Sequence, residues 1–107
     1  PTLIRVGSHI DIARRLAPAG EPGLTLRELV ADGFASSARR PLVSATGVAG
    51  TAYLCHPFLV HSAQPHHGER PRFLAQPPLL PVDPENRPQG ELTPVEQATA
   101  RALEEGS

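Results

Sequence analysis

The chain has 107 residues, enough for one small domain with a modest core. Its net charge of −1, with ten scattered basic residues that are all arginine, gives no electrostatic ground for binding nucleic acid or an anionic membrane. A single cysteine, Cys55, excludes an internal disulfide, and no apolar run approaches the roughly 20 residues of a membrane-spanning helix, so a cytoplasmic protein is expected.

Thirteen prolines and nine glycines make up about a fifth of the chain, above ordinary usage. The aromatic residues are Phe34, Tyr53, Phe58 and Phe73 alone. The chain opens at Pro1 directly into the apolar stretch 3–6, which predicts a portion of a longer protein.

Residues 2–6 are short and β-branched, predicting a strand that turns at Gly7. Ser8 with Asp11 three positions later has the form of an acidic capping box, and Ile10, Ala13 and Leu16 continue at helical spacing until Pro18. Thr25 with Glu28 repeats the box, and Leu26, Leu29 and Val30 give this second helix an apolar stripe that ends at Asp32-Gly33. Residues 42–46 predict a strand, 47–50 a turn and 51–55 another strand. His56-Pro57 interrupts the ladder, because proline lacks the donor a central strand needs. Residues 58–62 alternate as a further strand, 64–71 form a polar loop and 72–76 the last strand. The five prolines at 77, 78, 81, 84 and 88 predict an extended surface tail. Thr93-Pro94-Val95-Glu96 then starts a C-terminal helix, with Thr93 as cap, Pro94 at the first helical position and Glu96 closing the box.

Four of the five histidines lie between positions 56 and 67. His61 falls on a predicted strand and Arg72 on the next, so the two can face one cavity. Neutral imidazole ligates ferrous iron, and a two-His-one-carboxylate site leaves positions open for substrate and oxygen. Guanidinium grips a carboxylate through two parallel charge-assisted hydrogen bonds. An iron ligand followed by an anchor for a 2-oxo acid is chemically coherent, but a His and an Arg flanking a turn are not diagnostic by spacing alone.

The run Tyr53-Leu54-Cys55-His56-Pro57-Phe58-Leu59-Val60-His61-Ser62-Ala63-Gln64-Pro65, followed by Arg70-Pro71-Arg72-Phe73-Leu74-Ala75-Gln76-Pro77, resembles bacterial members of the phytanoyl-CoA dioxygenase family. Arg5-Val6-Gly7-Ser8-His9 is similar to the Gly-Ser-His segment that leads into a helix in that family, and the proline-rich tail and final helix are similar too. The resemblance implies a mainly β chain with short helices, part of a double-stranded β-helix (jelly-roll or cupin-like) fold. Residues 1–76 would be the C-terminal portion of that domain, with a helical insertion at about 8–33. Residues 77–107 would be the tail and helix. It further implies a non-haem Fe(II)/2-oxoglutarate-dependent dioxygenase hydroxylating a small organic substrate with O2, His61 as the distal iron ligand and Arg72 as the 2-oxoglutarate anchor. The alternative is a non-catalytic cupin-like module that binds a small molecule or a partner.

Two departures stand out. Many members place a serine two positions after the anchoring arginine, where this chain has Leu74. The family's earlier His-x-Asp or His-x-Glu pair is also missing, and is expected upstream of Pro1. His9-Ile10-Asp11 has that form, but Asp11 has a sufficient role beside Ser8 and His9 starts a helix. His56 before Pro57 is expected as a strand-end residue bonded to backbone, and His66-His67 as a solvated turn without the paired spacing of a zinc site. Arg70 is the lesser alternative to Arg72, and Cys55 is expected as a packed core thiol.

Overall fold

The structure is a computed structural model and describes residues 1–78, 80 and 91–104. Strand β1 (Leu3–Arg5) sits at the centre of an antiparallel sheet, between β2 (Leu42–Ser44) and β3 (His61–Ser62). Ile4 faces Val43 on one side and His61 on the other, and Leu3 faces Ser44 and Ser62. Backbone bonds from Val6 N–H to Pro41 (2.9 Å), Arg5 N–H to Val60 (3.0 Å) and Ala45 N–H to Thr2 (2.8 Å) extend the ladders beyond these strands.

Gly7, at φ 84°, turns β1 into helix α1 (Ser8–Leu16). This left-handed conformation suits glycine. The Arg40 guanidinium lies so close that a Cβ on Gly7 would stand 3.0 Å from it. Ser8, Ile12 and Ala13 form the buried face of α1, against which helix α3 (Pro94–Glu104) packs its own buried Ala102. Arg14 Nε reinforces that contact by donating to the Ala102 carbonyl at 3.3 Å.

The short helix α2 (Leu26–Val30) starts with the full capping box expected of Thr25 and Glu28. At its other end Arg15 of α1 donates to the carbonyls of Glu28 (2.7 Å) and Leu29 (2.8 Å) and to the Asp32 carboxylate (3.2 Å). A cation that satisfies helix-end carbonyls also complements the helix dipole. Thr93 caps α3 as expected, accepting from Glu96 N–H at 3.2 Å and donating to the Glu96 carboxylate at 3.1 Å. No helix among the described residues is long and apolar enough to cross a membrane.

Several expectations are corrected. The chain is not a mainly β portion of a jelly roll. A jelly roll closes two sheets with about eight strands, whereas the described residues hold one sheet of three short strands, and their buried apolar residues are helical: Ile12, Ala13 and Ala102. Strands at 51–55 and 72–76 are absent, and the strand at 58–62 shrinks to His61–Ser62. β-Propensity is realised only against a partner edge, and Leu54, Phe73 and Leu74 lie exposed without one. Cys55 is exposed rather than packed. The box at Ser8 and Asp11 does not form; Gly7 is the N-cap, and both side chains have partners elsewhere in the fold. Most of the proline-rich tail expected at 77–90 lies outside the described residues, while Pro77, Pro78 and Leu80 are exposed.

Candidate functional site around His61

His61 is placed by the junction of β1 and α1. Ser8, fully buried, accepts the Val60 N–H on its Oγ at 2.8 Å, and Arg5 N–H donates to the Val60 carbonyl at 3.0 Å. Both backbone groups of the residue before His61 are therefore fixed. The His61 ring is exposed, with Nδ1 2.8 Å from the Leu59 carbonyl. A carbonyl oxygen only accepts, so Nδ1 carries the proton and Nε2 holds its lone pair. No polar group among the described residues is bonded to Nε2. This is the tautomer of a histidine that ligates metal through Nε2 while its other nitrogen is held by a backbone acceptor.

His56, five residues earlier, is fixed in the opposite sense. Its Nδ1 accepts from Phe58 N–H at 3.1 Å, which places the proton on Nε2, 3.0 Å from the Thr99 hydroxyl and 3.3 Å from the Val95 carbonyl of α3. Nδ1 is thus committed to the Phe58 backbone and Nε2 to α3; the bonds to backbone are as expected of His56, whereas the strand it was expected to end is absent. Its ring also packs on Phe58 and on His9 of α1, with centroids 5.0 and 5.3 Å apart.

His61 borders two hollows. The larger, about 420 Å³, is apolar and lined by Ile12, Leu29, Phe34, Phe58 and Val60 among others. The smaller, about 290 Å³, is lined by Leu3, Arg5, Phe34, Leu42 and Ser62. Phe34 stands at both, held at φ 58° with its N–H donated to Asp32 Oδ1 at 3.1 Å. A bulky residue at positive φ is uncommon. Arg72 lines neither hollow and lies in an exposed segment without strand structure. The structure therefore does not bring His61 and Arg72 together around either hollow. Arg5 is the cation that does share one with His61, although its Nη1 is engaged by the carbonyls of Arg40 (3.1 Å) and Ala38 (3.4 Å).

No family model, curated protein or solved structure matches the chain.

The remaining candidates sort by their partners. Asp11 accepts from Arg40 Nε on Oδ2 and from Arg40 Nη2 on Oδ1, both at 3.0 Å, and from Ser37 Oγ at 2.8 Å. The hydrogen-bonded Arg40 guanidinium holds the carboxyl below its usual value, against the opposing effect of burial. Both oxygens are thus occupied by donors, and His9-Ile10-Asp11 does not offer a metal pair. His66 Nε2 lies 2.5 Å from the Arg70 carbonyl within the exposed loop. Among the described residues no group of three or more His, Cys, Asp or Glu side chains gathers to hold a metal ion. Among the described residues His61 presents its Nε2 beside the two hollows with no carboxylate or second imidazole gathered around it, so these residues fit one ligand and not a complete site.

Sequence reasoning passed over Ser8 and Arg40 as tertiary partners and Arg5 as a neighbour of His61. The Gly-Ser-His string marked Ser8 as notable, but only the fold reveals that its hydroxyl serves Val60.

Proposed function

We propose that the chain is part of a non-haem Fe(II)/2-oxoglutarate-dependent dioxygenase related to the phytanoyl-CoA dioxygenases, acting on a small organic substrate in the cytoplasm. His61 is its distal iron ligand and Arg72 the anchor of the far 2-oxoglutarate carboxylate. The observation that carries the reading is the string from His56 to Pro77, with His-Pro-x-x-x-His followed by Arg-Pro-Arg. The Nδ1-protonated state of His61 supports it, since that state leaves Nε2 for a metal. The segments that share the resemblance are also joined in space: Ser8 bonds Val60, and His56 bonds the final helix.

A complete iron centre needs ligands that the described residues do not supply around His61. What these residues do is hold one imidazole with its lone pair outward and border it with apolar surface.

Mn2+ in millimolar titration is the direct test. Paramagnetic broadening should fall on the His61 ring resonances, and His61→Ala should remove it without moving broadening to His56. Broadening centred on His66 or His67, or none at His61, defeats the assignment. The apolar hollow beside His61 favours a second reading, a non-catalytic module that binds a small molecule or a partner. Fe(II)-dependent release of succinate from 2-oxoglutarate, lost in His61→Ala, separates the dioxygenase from that module.

A further inference from the structure

We propose that the two hollows beside Phe34 form one binding site for a small amphiphilic monocarboxylate, with its carboxylate on Arg5 and its apolar body in the larger hollow. The proposal deepens the small-molecule reading of that hollow, on which it rests, and needs no iron. Strand alternation puts Leu3 and Arg5 of β1 on one face of the sheet, with Leu42, Val60 and Ser62 beside them. These five residues line the smaller hollow, while Phe34, Val60 and His61 line both, so the two meet along one wall. Small-molecule pockets of roughly 300–1,000 Å³ are mostly apolar with a few placed polar groups. The larger hollow, about 420 Å³, falls in that range.

Arg5 sets the charge of the ligand. Its Nη1 donates to the carbonyls of Arg40 and Ala38, at 3.1 and 3.4 Å, which holds the guanidinium in place without neutralising it. Among the described residues no acceptor is bonded to its Nε or Nη2, and it belongs to no ion pair. Nε–H and Nη2–H are a parallel pair of donors that fits the two oxygens of a carboxylate. Arg40 uses that same edge on Asp11, Nε on one oxygen and Nη2 on the other. Arg5 brings an equivalent edge, half-buried and anchored, to the smaller hollow. The larger hollow sets the rest of the ligand: Leu29, Val30, Phe34 and Phe58 offer it an apolar lining, so its body carries no second charge. Phe34 is held at φ 58° by its bond to Asp32. Residues kept in such sparsely populated conformations cluster at ligand clamps.

The test is a titration of the chain with phenylbutyrate, with neither metal nor 2-oxoglutarate added, followed by proton–nitrogen and proton–carbon correlation spectra. Shifts should centre on Arg5, Leu29, Val30, Val60 and Ser62. Phenylbutyramide, which keeps the body and lacks the charge, should bind about tenfold more weakly. Arg5→Lys, its fold checked by helical circular dichroism, should lose about tenfold in phenylbutyrate affinity because an ammonium lacks the fork. Leu26 lines the larger hollow and is 71% exposed, so Leu26→Glu should leave the fold intact. It should weaken phenylbutyrate binding severalfold by placing a like charge beside the hollow. Equal binding of acid and amide, wild-type affinity in folded Arg5→Lys, or shifts away from both hollows overturns the inference. Should Arg5→Lys lose its helical signal, the other two comparisons decide, and wild-type affinity in Leu26→Glu or parity of acid and amide overturns it. Concentration-dependent shifts of the same residues without the probe would make a second copy of the chain the occupant, and also overturn it. No metal enters these measurements, so their failure leaves the His61 assignment standing, and absent Mn2+ broadening at His61 leaves this site standing.

Discussion

Arg40 grips Asp11 at both carboxylate oxygens, each contact 3.0 Å long, and so ties the first turn of α1 to the loop that precedes β2. A bidentate guanidinium–carboxylate pair is among the stronger polar contacts a protein makes. Asp11 is only 12% exposed through its side chain, while Arg40 is 33% exposed, which places the pair between a surface and a buried bridge. Arg40→Ala should lower unfolding stability by about 1–2 kcal/mol in urea titrations, and Arg40→Lys should recover only part of that, because an ammonium cannot form the fork. The pH dependence has a definite sign. The folded-state carboxyl is held below its ordinary value of 3.8. Its contribution is complete above that value and is lost as pH falls through the lower folded-state value. Wild type should therefore lose more stability than Asp11→Asn on acidification below about pH 4.

Helix α2 depends on its ends. It has five residues and buries none of them, so packing contributes little and capping contributes much. Thr25→Ala removes the acceptor for Glu28 N–H and should cost about 1 kcal/mol. The loss should be local, seen as faster amide exchange over Leu26–Val30 with α1 and α3 unaffected. Arg15→Ala should have a similar effect from the other end, where it uncovers the carbonyls of Glu28 and Leu29.

These local devices are the part of the fold legible in the sequence. The threonine caps at Thr25 and Thr93 and the Gly7 turn rest on interactions within a few residues, and each appears where the pattern places it. Ser8 and Asp11 looked like a third such box. Their side chains instead reach Val60, Ser37 and Arg40, between 26 and 52 residues away, and no spacing rule reports a partner at that distance. The strands at 51–55 and 72–76 fail for a related reason: alternation marks a segment suited to a sheet but does not provide the neighbouring edge. In the site, His61 was legible as a strand residue, and its protonation state was not, because that state is set by the direction of the Leu59 carbonyl.

The two histidines at 56 and 61 should respond in opposite ways to truncation. His56→Ala deletes the acceptor of Phe58 N–H and the bonds to Thr99 and Val95. It should loosen α3 by about 1–2 kcal/mol, read as lost amide protection across Pro94–Glu104, while Mn2+ broadening at His61 persists. His61→Ala should leave α3 protection intact and abolish the broadening. A metal effect that disappears in His56→Ala with α3 still docked would show that the wrong histidine had been chosen.

Two arginines are candidates for the proposed 2-oxoglutarate anchor, and they can be told apart. Arg72 carries the resemblance but lies in an exposed segment away from both hollows, whereas Arg5 borders a hollow with His61. Arg5 already spends Nη1 on two backbone carbonyls, so Arg5→Ala should show its effect as lost stability in urea. Removing the arginine that binds the carboxylate deletes charge-assisted hydrogen bonds worth about 1.5–3 kcal/mol, a roughly tenfold to hundredfold loss of 2-oxoglutarate affinity. That loss is expected in Arg72→Ala, measured calorimetrically in the presence of Mn2+, with Arg72→Lys recovering little of it because one ammonium cannot present two parallel donors. Unchanged affinity in Arg72→Ala together with a tenfold loss in Arg5→Ala would move the anchor to β1, next to His61 in the same sheet.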